Sequence, residues 1–445
     1  MRLKKLTNVQ IIAIGFALLA LFGAFLLMLP ISSRERVWTP FVPALFTSVS
    51  ASCVTGLIVV DTATHWSLFG QIVIITLIQI GGLGFITIAT AFLSFARKGL
   101  GLKSRSLMAE SVNTGRIAGL KGYVRHIVRG TVLIEGVGAV LLSIPFIREF
   151  GPAKGIYYGV FHSISAFCNA GFDLMGVKAP FDSLVSYADK AYINIVFMLL
   201  ITVGGIGFQI WEDVRTYRFR LKRYSLHSKL VLVVSLSLTV GGAICFYCLE
   251  RNHLFAEVSV GKGILYSFFQ SVTCRTAGFN TIDLAKLSDP SVLLSCFLMF
   301  VGGSPGSTAG GIKTTTIAIL FIYLVSSLRS SAGEPQLFGR SLSPSSIRKA
   351  SGVVCFNFTL VFLATTVIAA CGQFRLTDVL FETFSAMGTV GMTTGITRDL
   401  PMIGKILIMA LMFCGRVGSV TLASALLEKR VRPKIQYPKE EINIG

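Results

Sequence analysis

A short segment that recurs four times along the chain constrains the fold more than any other feature. Each copy starts with Phe and reaches Gly ten residues later without a gap; the copies run Phe46 to Gly56, Phe161 to Gly171, Phe268 to Gly278 and Phe381 to Gly391. The glycines are 115, 107 and 113 residues apart. Because repeats of fixed period indicate repeated structural units, the chain is predicted to contain four units of about 110 residues.

A second glycine-rich landmark follows each segment. The landmarks begin 25, 33, 24 and 24 residues after the respective segment glycines, at Gly81, Gly204, Gly302 and Gly415. One such stretch would be explained by small residues at a close helix–helix contact. Two landmarks that keep their register in all four units instead favour a repeated architecture.

Long apolar runs flank each segment. The first runs are Ile11–Pro30, Thr131–Ile147, Leu230–Leu249 and Val353–Cys371, and the second runs are Leu68–Ala96, Tyr192–Ile210, Val292–Leu328 and Ile403–Leu427. About 20 apolar residues span a bilayer, whereas the dozen residues between the runs reach only halfway. Backbone that re-enters the membrane is tolerated only inside protein or along a water-filled cavity. The four half-spanning segments therefore predict a shared central pore.

These patterns predict an all-α polytopic membrane protein with four helix–pore helix–helix repeats and pseudo-fourfold symmetry. We expect a single transmembrane domain over residues 1–445, with repeats at approximately 8–97, 124–214, 228–328 and 350–428. Only 14% of the residues are charged, against about 25% in soluble proteins. The first run is also longer than the apolar core of a signal peptide, about 7–15 residues, so we expect it to be retained.

The net charge of +20 would suggest a nucleic-acid partner in a soluble protein. Of the 41 Lys and Arg residues, however, 25 lie in five stretches: 1–7, 97–125, 212–229, 326–349 and 428–445. Cytoplasmic loops carry such an excess of positive charge. We therefore expect basic cytoplasmic loops between the repeats, both termini in the cytoplasm, contact with membrane lipid and no nucleic-acid partner. An inverted-repeat transporter needs an odd number of crossings per repeat, which this charge pattern disfavours.

No nucleotide motif, Ser/His/Asp set or cluster of metal ligands is visible in the sequence, so we predict a protein that is not an enzyme. A membrane-embedded enzyme would need a polar catalytic set, which the sequence does not offer. The nine cysteines lie mostly in apolar segments and are typical of small buried side chains rather than of a disulfide framework.

The helix–pore helix–helix units resemble the Trk/Ktr/HKT superfamily of potassium transporters. The resemblance is closest in the third unit, at Arg275-Thr-Ala-Gly-Phe-Asn280 and Gly306-Ser-Thr-Ala-Gly-Gly-Ile-Lys313. The chain is most similar to the Ktr membrane subunit, the KtrB type. The resemblance implies potassium uptake across the plasma membrane, here the bacterial inner membrane, through the pore subunit of a regulated complex.

The same resemblance implies partners and ligands. It implies a homodimer that sits on a cytosolic ring of nucleotide-binding regulatory subunits of the KtrA or TrkA type. ATP, ADP or another nucleotide would bind only to that ring, and this chain would hold no cofactor. Potassium would be the substrate, and sodium an activator or a coupled ion. A sodium-permeable or sodium/potassium-coupled carrier on the same scaffold stays open as an alternative.

The residues that lead into the four glycines are the predicted selectivity filter. Potassium filters replace the ion's hydration shell with rings of backbone carbonyl oxygens, and Gly adopts the positive φ that turns a carbonyl inward. The predicted K⁺-binding carbonyls belong to Val54, Thr55, Gly56, Asn169, Ala170, Gly171, Thr276, Ala277, Gly278, Thr389, Val390 and Gly391. The resemblance implies that Gly in all four units accompanies potassium preference, whereas Ser in the first accompanies sodium permeation. The C-terminal ends of the half-helices add partial negative charge.

The third unit carries a predicted gate in its second apolar run. Pro305 and the surrounding glycines are incompatible with a regular helix, so we expect a broken helix with a polar loop below the filter. The predicted gate comprises Gly302, Gly303, Ser304, Pro305, Gly306, Ser307, Thr308, Ala309, Gly310, Gly311, Lys313 and Arg416. A passive kink is the alternative.

Arg416 replaces the second glycine of the landmark in the fourth unit, where the other units have Gly82, Gly205 and Gly303. A charge within a membrane is costly, about 2.5–3.5 kcal/mol on insertion scales, so it should face a polar interior. We interpret Arg416 as an electrostatic barrier in the pore. A buried ion pair with Glu135 is the alternative.

Three acidic residues follow the filter segments. Asp61 and Asp283 come five residues after their glycines, and Asp173 comes two residues after Gly171. They would concentrate cations at the outer mouth of the pore or, equally, serve as turn and cap carboxylates.

Overall fold

Four long helices open the four units in the computed structural model, which describes residues 7–84, 120–218, 220–329, 335–337 and 340–418. These first helices are Asn8–Met28, Leu120–Phe150, Leu226–Glu250 and Pro344–Cys371. Within the described residues they are the four single helices long and apolar enough to cross a membrane. Their outer faces expose large apolar side chains, such as Phe22 at 61% and Leu133 at 67%. The prediction of a multi-pass membrane protein is therefore confirmed.

A half-length helix follows in every unit. These pore helices are Phe41–Cys53, Pro152–Phe167, Val260–Thr273 and Leu376–Gly388. Their lengths of 13, 16, 14 and 13 residues correspond to about 20–24 Å at 1.5 Å per residue, which is less than the roughly 30 Å of a hydrocarbon core. The pore helices of units 1 and 4 end directly before the predicted filter residues, and those of units 2 and 3 end one and two residues earlier.

The second helices are shorter than the predicted apolar runs. They are Leu68–Leu83, Ala191–Gly205, Asp289–Phe300 and Met402–Val417. In three units the helix ends one or two residues before the last glycine of the landmark, which has a positive φ: Gly84 (+84°), Gly207 (+104°) and Gly418 (+93°). The prediction of one continuous second helix is wrong for unit 2, because the chain bends by 93° before Phe208–Tyr217. The remainder of the predicted runs to Ala96 and Leu427 lies outside the described residues.

The second helix of unit 3 is broken, as the sequence predicted. It ends at Phe300 and the chain becomes helical again only at Thr314–Leu328. Between them, Val301 and Ile312 form a parallel β-bridge, and Gly306 and Gly311 have positive φ values of 66° and 65°. The intervening segment is thus a closed loop rather than a simple kink.

Short elements complete the described chain. The helical ones are Thr62–His65, Pro30–Ser32, Met175–Val177, Val185–Tyr187, Leu221–Arg223, Leu284–Lys286 and Ile396–Arg398. Two strands of two residues, Gln336–Leu337 and Arg340–Ser341, pair antiparallel. This ladder is a small departure from the all-α prediction.

The aromatic residue that begins each repeat packs into the core. Phe46, Phe161 and Phe381 are at most 1% exposed. In unit 3 the buried ring is Phe269, also 1% exposed, rather than Phe268. The gapless alignment of the repeats is therefore off by one residue in this pore helix, because the buried Phe269 lies nine positions before Gly278, whereas the buried Phe of the other units lies ten positions before its glycine.

Candidate functional site

The predicted filter triplets share one backbone conformation in all four units. The third residue is the glycine, with φ of 98°, 70°, 81° and 94° for Gly56, Gly171, Gly278 and Gly391. The first residue is also left-handed although it is not glycine; the residues are Val54, Asn169, Thr276 and Thr389, with φ of 58°, 59°, 76° and 51°. Positive φ at a β-branched residue is a genuine outlier. Its recurrence in register four times indicates that the fold imposes this conformation on the loop.

The four glycines pack around a common centre. A Cβ built on Gly56 would lie 2.5 Å from the carbonyl oxygen of Ala170, and one on Gly171 would lie 2.8 Å from that of Ala277. The series continues with Gly278 against the Val390 oxygen and Gly391 against the Thr55 oxygen. Each unit therefore touches the next, in the cyclic order 1–2–3–4–1. The middle residue of each triplet places its carbonyl oxygen beside the glycine of a neighbouring unit.

Hydroxyl groups of the pore helices brace these loops. In units 1 and 4, Ser50 and Ser385 accept hydrogen bonds from the Gly56 and Gly391 amides, at 3.0 and 3.1 Å. In unit 2 the hydroxyl of Ser165 donates to the Phe172 carbonyl at 2.7 Å, and Thr273 does the same for Phe279 in unit 3. Sequence reasoning missed these residues as positioning groups. The signal was present, because a serine stands six residues before the glycine in three of the four repeats.

This ring has the chemistry of a cation site. Its triplets are buried, with Thr55, Ala170, Ala277 and Val390 at 0% exposure, so an ion at the ring would lose most of its water. Backbone carbonyl oxygens compensate for that loss. Each pore helix also ends at the ring, where the C-terminal end of a helix carries partial negative charge. Grouped His, Cys, Asp and Glu side chains able to hold a metal do not occur within the described residues.

The broken-helix loop of unit 3 lies against the other units just beyond the ring. The amides of Ser304 and Thr308 donate to the carbonyls of Gly205 and Gly204 in unit 2, at 3.1 and 3.3 Å. On the opposite side, the amide of Gly311 donates to the Gly415 carbonyl of unit 4 at 3.3 Å.

Two further contacts place the predicted gate next to the filter. The hydroxyl of Thr308 donates to the Phe167 carbonyl at the end of the second pore helix, at 3.0 Å. A Cβ on Gly310 would collide with the side chain of Thr389, the first residue of the fourth triplet. Within the loop, the Ser307 hydroxyl donates to the Ser304 carbonyl at 2.7 Å. The predicted gate and the predicted filter are therefore in direct contact.

Arg416 joins this loop to unit 1. Its guanidinium donates to the carbonyls of Thr308 in the loop and of Gly81 and Gly82 at the end of the first unit's second helix, the last at 2.9 Å. Glu135 forms no ion pair with Arg416, because its carboxylate instead accepts from the Gln79 amide at 3.3 Å. The ion-pair alternative is therefore wrong, and Arg416 is bound by carbonyl dipoles.

Two more cationic side chains lie near the loop. Lys313 donates to the carbonyls of Ala309 and Gly310, at 2.9 and 3.3 Å, and so closes the loop on itself. Arg275, directly before the third triplet, lines a small cavity of about 10 Å³ together with Asn169 and Gly303. Its Nε has no hydrogen-bond partner within the described part of the chain.

The three predicted mouth carboxylates have different surroundings. Asp61 is buried and accepts from the amides of Ala63 and Thr64 and, across to unit 2, from the amide of Phe181, each at 2.9 Å. Asp283 is exposed, caps a short helix through the Ala285 amide and pairs with a lysine one turn on. Asp173 is half-buried and accepts from the Met175 amide at 2.8 Å. Burial, with smaller contributions from nearby carboxylates, raises its pKa to about 7.

The fold and this ring define a multi-pass membrane protein in which four re-entrant loops surround a central pore. A known family has the same organisation: the TrkH family, described as cation transport proteins, matches residues 7–431. The chain belongs to this family. The resemblance noted in the sequence is thereby confirmed, and membership of a transport family agrees with the prediction that the chain is not an enzyme.

Curated relatives match the chain over almost its whole length. It is 42% identical to the potassium/sodium uptake protein NtpJ of Enterococcus hirae, over 99% of this chain and 98% of the relative. It is 39% identical to the Ktr system potassium uptake protein B of Bacillus subtilis, over 99% and 97% respectively. The crystal structure of the potassium transporter TrkH from Vibrio parahaemolyticus superposes with a TM-score of 0.76 at 18% identity, covering 96% of this chain and 86% of that one. The fold is therefore shared with TrkH.

Proposed function

We propose that this protein takes up potassium ions through the ring of filter carbonyls, as the pore subunit of a regulated complex. The observation that carries the proposal is the left-handed conformation repeated at the first and third residue of all four triplets, together with the four middle carbonyls that each lie beside the glycine of a neighbouring unit. The names of the relatives, which are potassium or potassium/sodium uptake proteins, support the choice of ion. With one glycine per unit, we expect fewer ordered ion sites than in a potassium channel that has two.

The broken-helix loop and Arg416 together form the proposed gate. The loop is held by hydrogen bonds to units 2 and 4 and, through the Arg416 guanidinium, to unit 1. Hydrogen bonds to backbone carbonyls are individually modest, about 0.5–1.5 kcal/mol each and somewhat more when the donor is charged. A conformational change in a partner could therefore release the loop without unfolding the pore.

Assembly and orientation complete the proposal. We place the protein in the bacterial inner membrane with both termini in the cytoplasm, because the basic stretches alternate with the predicted spans. The Ktr system names of two relatives support a membrane subunit that works with other components. We propose a homodimer on a cytosolic regulatory ring of the KtrA or TrkA type, with ATP or ADP bound to that ring; the basic tail after Glu428 that would contact it lies outside the described residues.

Uptake of a radioactive potassium tracer into liposomes that contain the purified protein tests the function. We expect tracer accumulation driven by an inward potassium gradient, and weaker accumulation of sodium under matched conditions. Equal or greater sodium uptake would favour the sodium-permeable alternative, which the potassium/sodium name of one relative makes specific. Absence of uptake of either ion, with and without the native partner, would contradict the proposal.

Arg416→Ala tests the gate in the same assay. Removing the guanidinium deletes its contacts to the loop and to unit 1, so we expect potassium flux to rise several-fold. Arg416→Lys keeps the charge but cannot span both sets of carbonyls with one planar group, and should give an intermediate flux. Unchanged or lower flux in folded Arg416→Ala protein would refute the gating role.

A further inference from the structure

The second unit contains an insertion at the outer face of the pore. The landmark follows the filter glycine after 33 residues in unit 2, against 24 or 25 in the others. The extra length forms a loop, residues 178–184, which we call the outer loop. Its first residue is anchored to its own unit, because the ammonium of Lys178 pairs with Glu149 and lies 3.9 Å from the centre of the Tyr187 ring.

The outer loop contacts each of the other three units. The Phe181 amide donates to Asp61 of unit 1 at 2.9 Å. Three residues later, the Leu184 amide donates to the Asn280 carbonyl of unit 3 at 3.0 Å, and the Ser183 hydroxyl accepts from the Asn280 amide at 3.2 Å. Phe181 and Ser183 both have positive φ, 62° and 52°, a strain that persists only where surrounding contacts impose it.

The contact with unit 4 involves a cation. The guanidinium of Arg398 lies 4.2 Å from the centre of the Phe181 ring, well within the range of a cation–π interaction. Units 2 and 4 are opposite each other in the cyclic order of the filter ring. Within four residues, the loop contacts unit 1 and unit 4 through Phe181 and unit 3 through Ser183 and Leu184. A segment of unit 2 that reaches both neighbouring units and the opposite unit passes close to the axis of the pore.

We propose that the outer loop bridges the mouth of the pore, and that Arg398, held there by Phe181, is a cation-repelling residue that limits how readily potassium reaches the filter. This proposal rests on the proposed function of the ring as a potassium filter. Phe181 acts as a positioning residue, since it fixes the guanidinium but has no charge of its own. Asp61, Asp173 and Asp182 lie close together on the same side of the ring, so the Arg398 guanidinium reduces the attraction that these carboxylates exert on a cation rather than acting alone.

The charge is tested with Arg398→Gln, which keeps a long polar side chain. A unit charge on the order of 10 Å from an ion in water changes the local ion concentration about twofold. We therefore expect the KM for potassium to fall about twofold with an unchanged maximal rate, and the difference to vanish at high concentrations of an impermeant salt, which screens charge. Arg398→Lys should keep the wild-type KM.

Lys154→Gln is the matched control. It makes the same charge change at the exposed start of the second pore helix and should have no effect on the KM. A KM in Arg398→Gln no lower than in Lys154→Gln would overturn the role of the charge.

The position of the loop is tested by cross-linking. Phe181→Cys with Arg398→Cys, joined by a short bis-maleimide, would tie units 2 and 4 across the mouth, and we expect potassium uptake to drop at least tenfold. The control pair is Arg375→Cys with Asp289→Cys, which replaces an exposed ion pair of 3.3 Å between units 3 and 4 and should leave uptake intact. If cross-linking changed potassium uptake to the same extent in both double-cysteine variants, or in neither, the proposal that the outer loop bridges the mouth would be overturned. Wild-type uptake is measured first, so that a protein without potassium transport is recognised as a failure of the proposed function instead.

Discussion

Replacing Gly278 by Ser addresses the filter directly. The residue has φ of 81°, and a Cβ there would collide with the Val390 carbonyl and lie 3.2 Å from the Gly171 Cα. A left-handed conformation costs an L-residue about 1–2 kcal/mol, and overpacking a tight site costs about 1–3 kcal/mol. The two costs add up to about 2–5 kcal/mol. A rotation of the peptide group at this position relieves most of this strain, but it turns one carbonyl oxygen away from the filter ring.

Because 1.4 kcal/mol corresponds to a factor of ten, we expect the potassium-over-sodium selectivity to fall at least tenfold. The measurement is the ratio of potassium to sodium tracer uptake in liposomes that contain equal amounts of folded protein. Gly136→Ser is the matched control, since a Cβ at this exposed helical position meets no atom within 4 Å. The same ratio in wild type, Gly278→Ser and Gly136→Ser would refute the filter assignment at this residue.

Three further predictions concern groups around the ring. The pKa of Asp173 is raised to about 7, so its carboxyl gains negative charge between external pH 6 and 8. The KM for potassium should therefore fall over this range in wild type but not in Asp173→Asn, and the same pH dependence of KM in both proteins would contradict a role of Asp173 at the mouth of the pore. Asp61→Ala leaves backbone amides of two units without their acceptor, at about 1–3 kcal/mol, and should lower the thermal unfolding temperature in detergent by several degrees; an unchanged midpoint would argue against a structural role. Ser385→Ala removes the acceptor for the Gly391 amide and should reduce selectivity less than Gly391→Ser does; an equal or larger loss would mean that the hydroxyl does more than brace the loop.

Much of the fold follows from patterns that are local in the chain. Apolar runs of about 20 residues and half-length segments before Gly56, Gly171, Gly278 and Gly391 predicted the long helices and the pore helices, because length and hydropathy alone limit what crosses a bilayer. The break around Pro305 was predicted for the same kind of reason, since Pro and closely spaced Gly are incompatible with helical hydrogen bonding.

The errors arose where tertiary packing decides. The sequence of unit 2 reads as apolar through Ile210, yet the helix ends at Gly205 and turns by 93°. A glycine permits such a turn but does not require it, and here Gly207 lies against the Pro305 carbonyl of the unit 3 loop. In unit 3 the buried ring belongs to Phe269 instead of Phe268, because the register of a pore helix is set by the pocket that its aromatic side chain fills.

The sequence by itself determined the number of units, the helices that open them, the half-length pore helices and the place of the four repeated glycines, because each depends on residue type and spacing along the chain. Only the tertiary structure decided that Val54, Asn169, Thr276 and Thr389 are left-handed. Three of these residues are β-branched, which disfavours a positive φ, so contacts in the folded protein must impose it. The tertiary structure alone also decided the partners of Arg416. A buried guanidinium can donate hydrogen bonds to any oxygen atoms that the fold brings near it, and here these are carbonyl oxygens from units 1 and 3. The bridge made by the outer loop was likewise undetectable in sequence, because its contacts join residues up to about 217 positions apart, and such pairings depend on how the four units close into a ring.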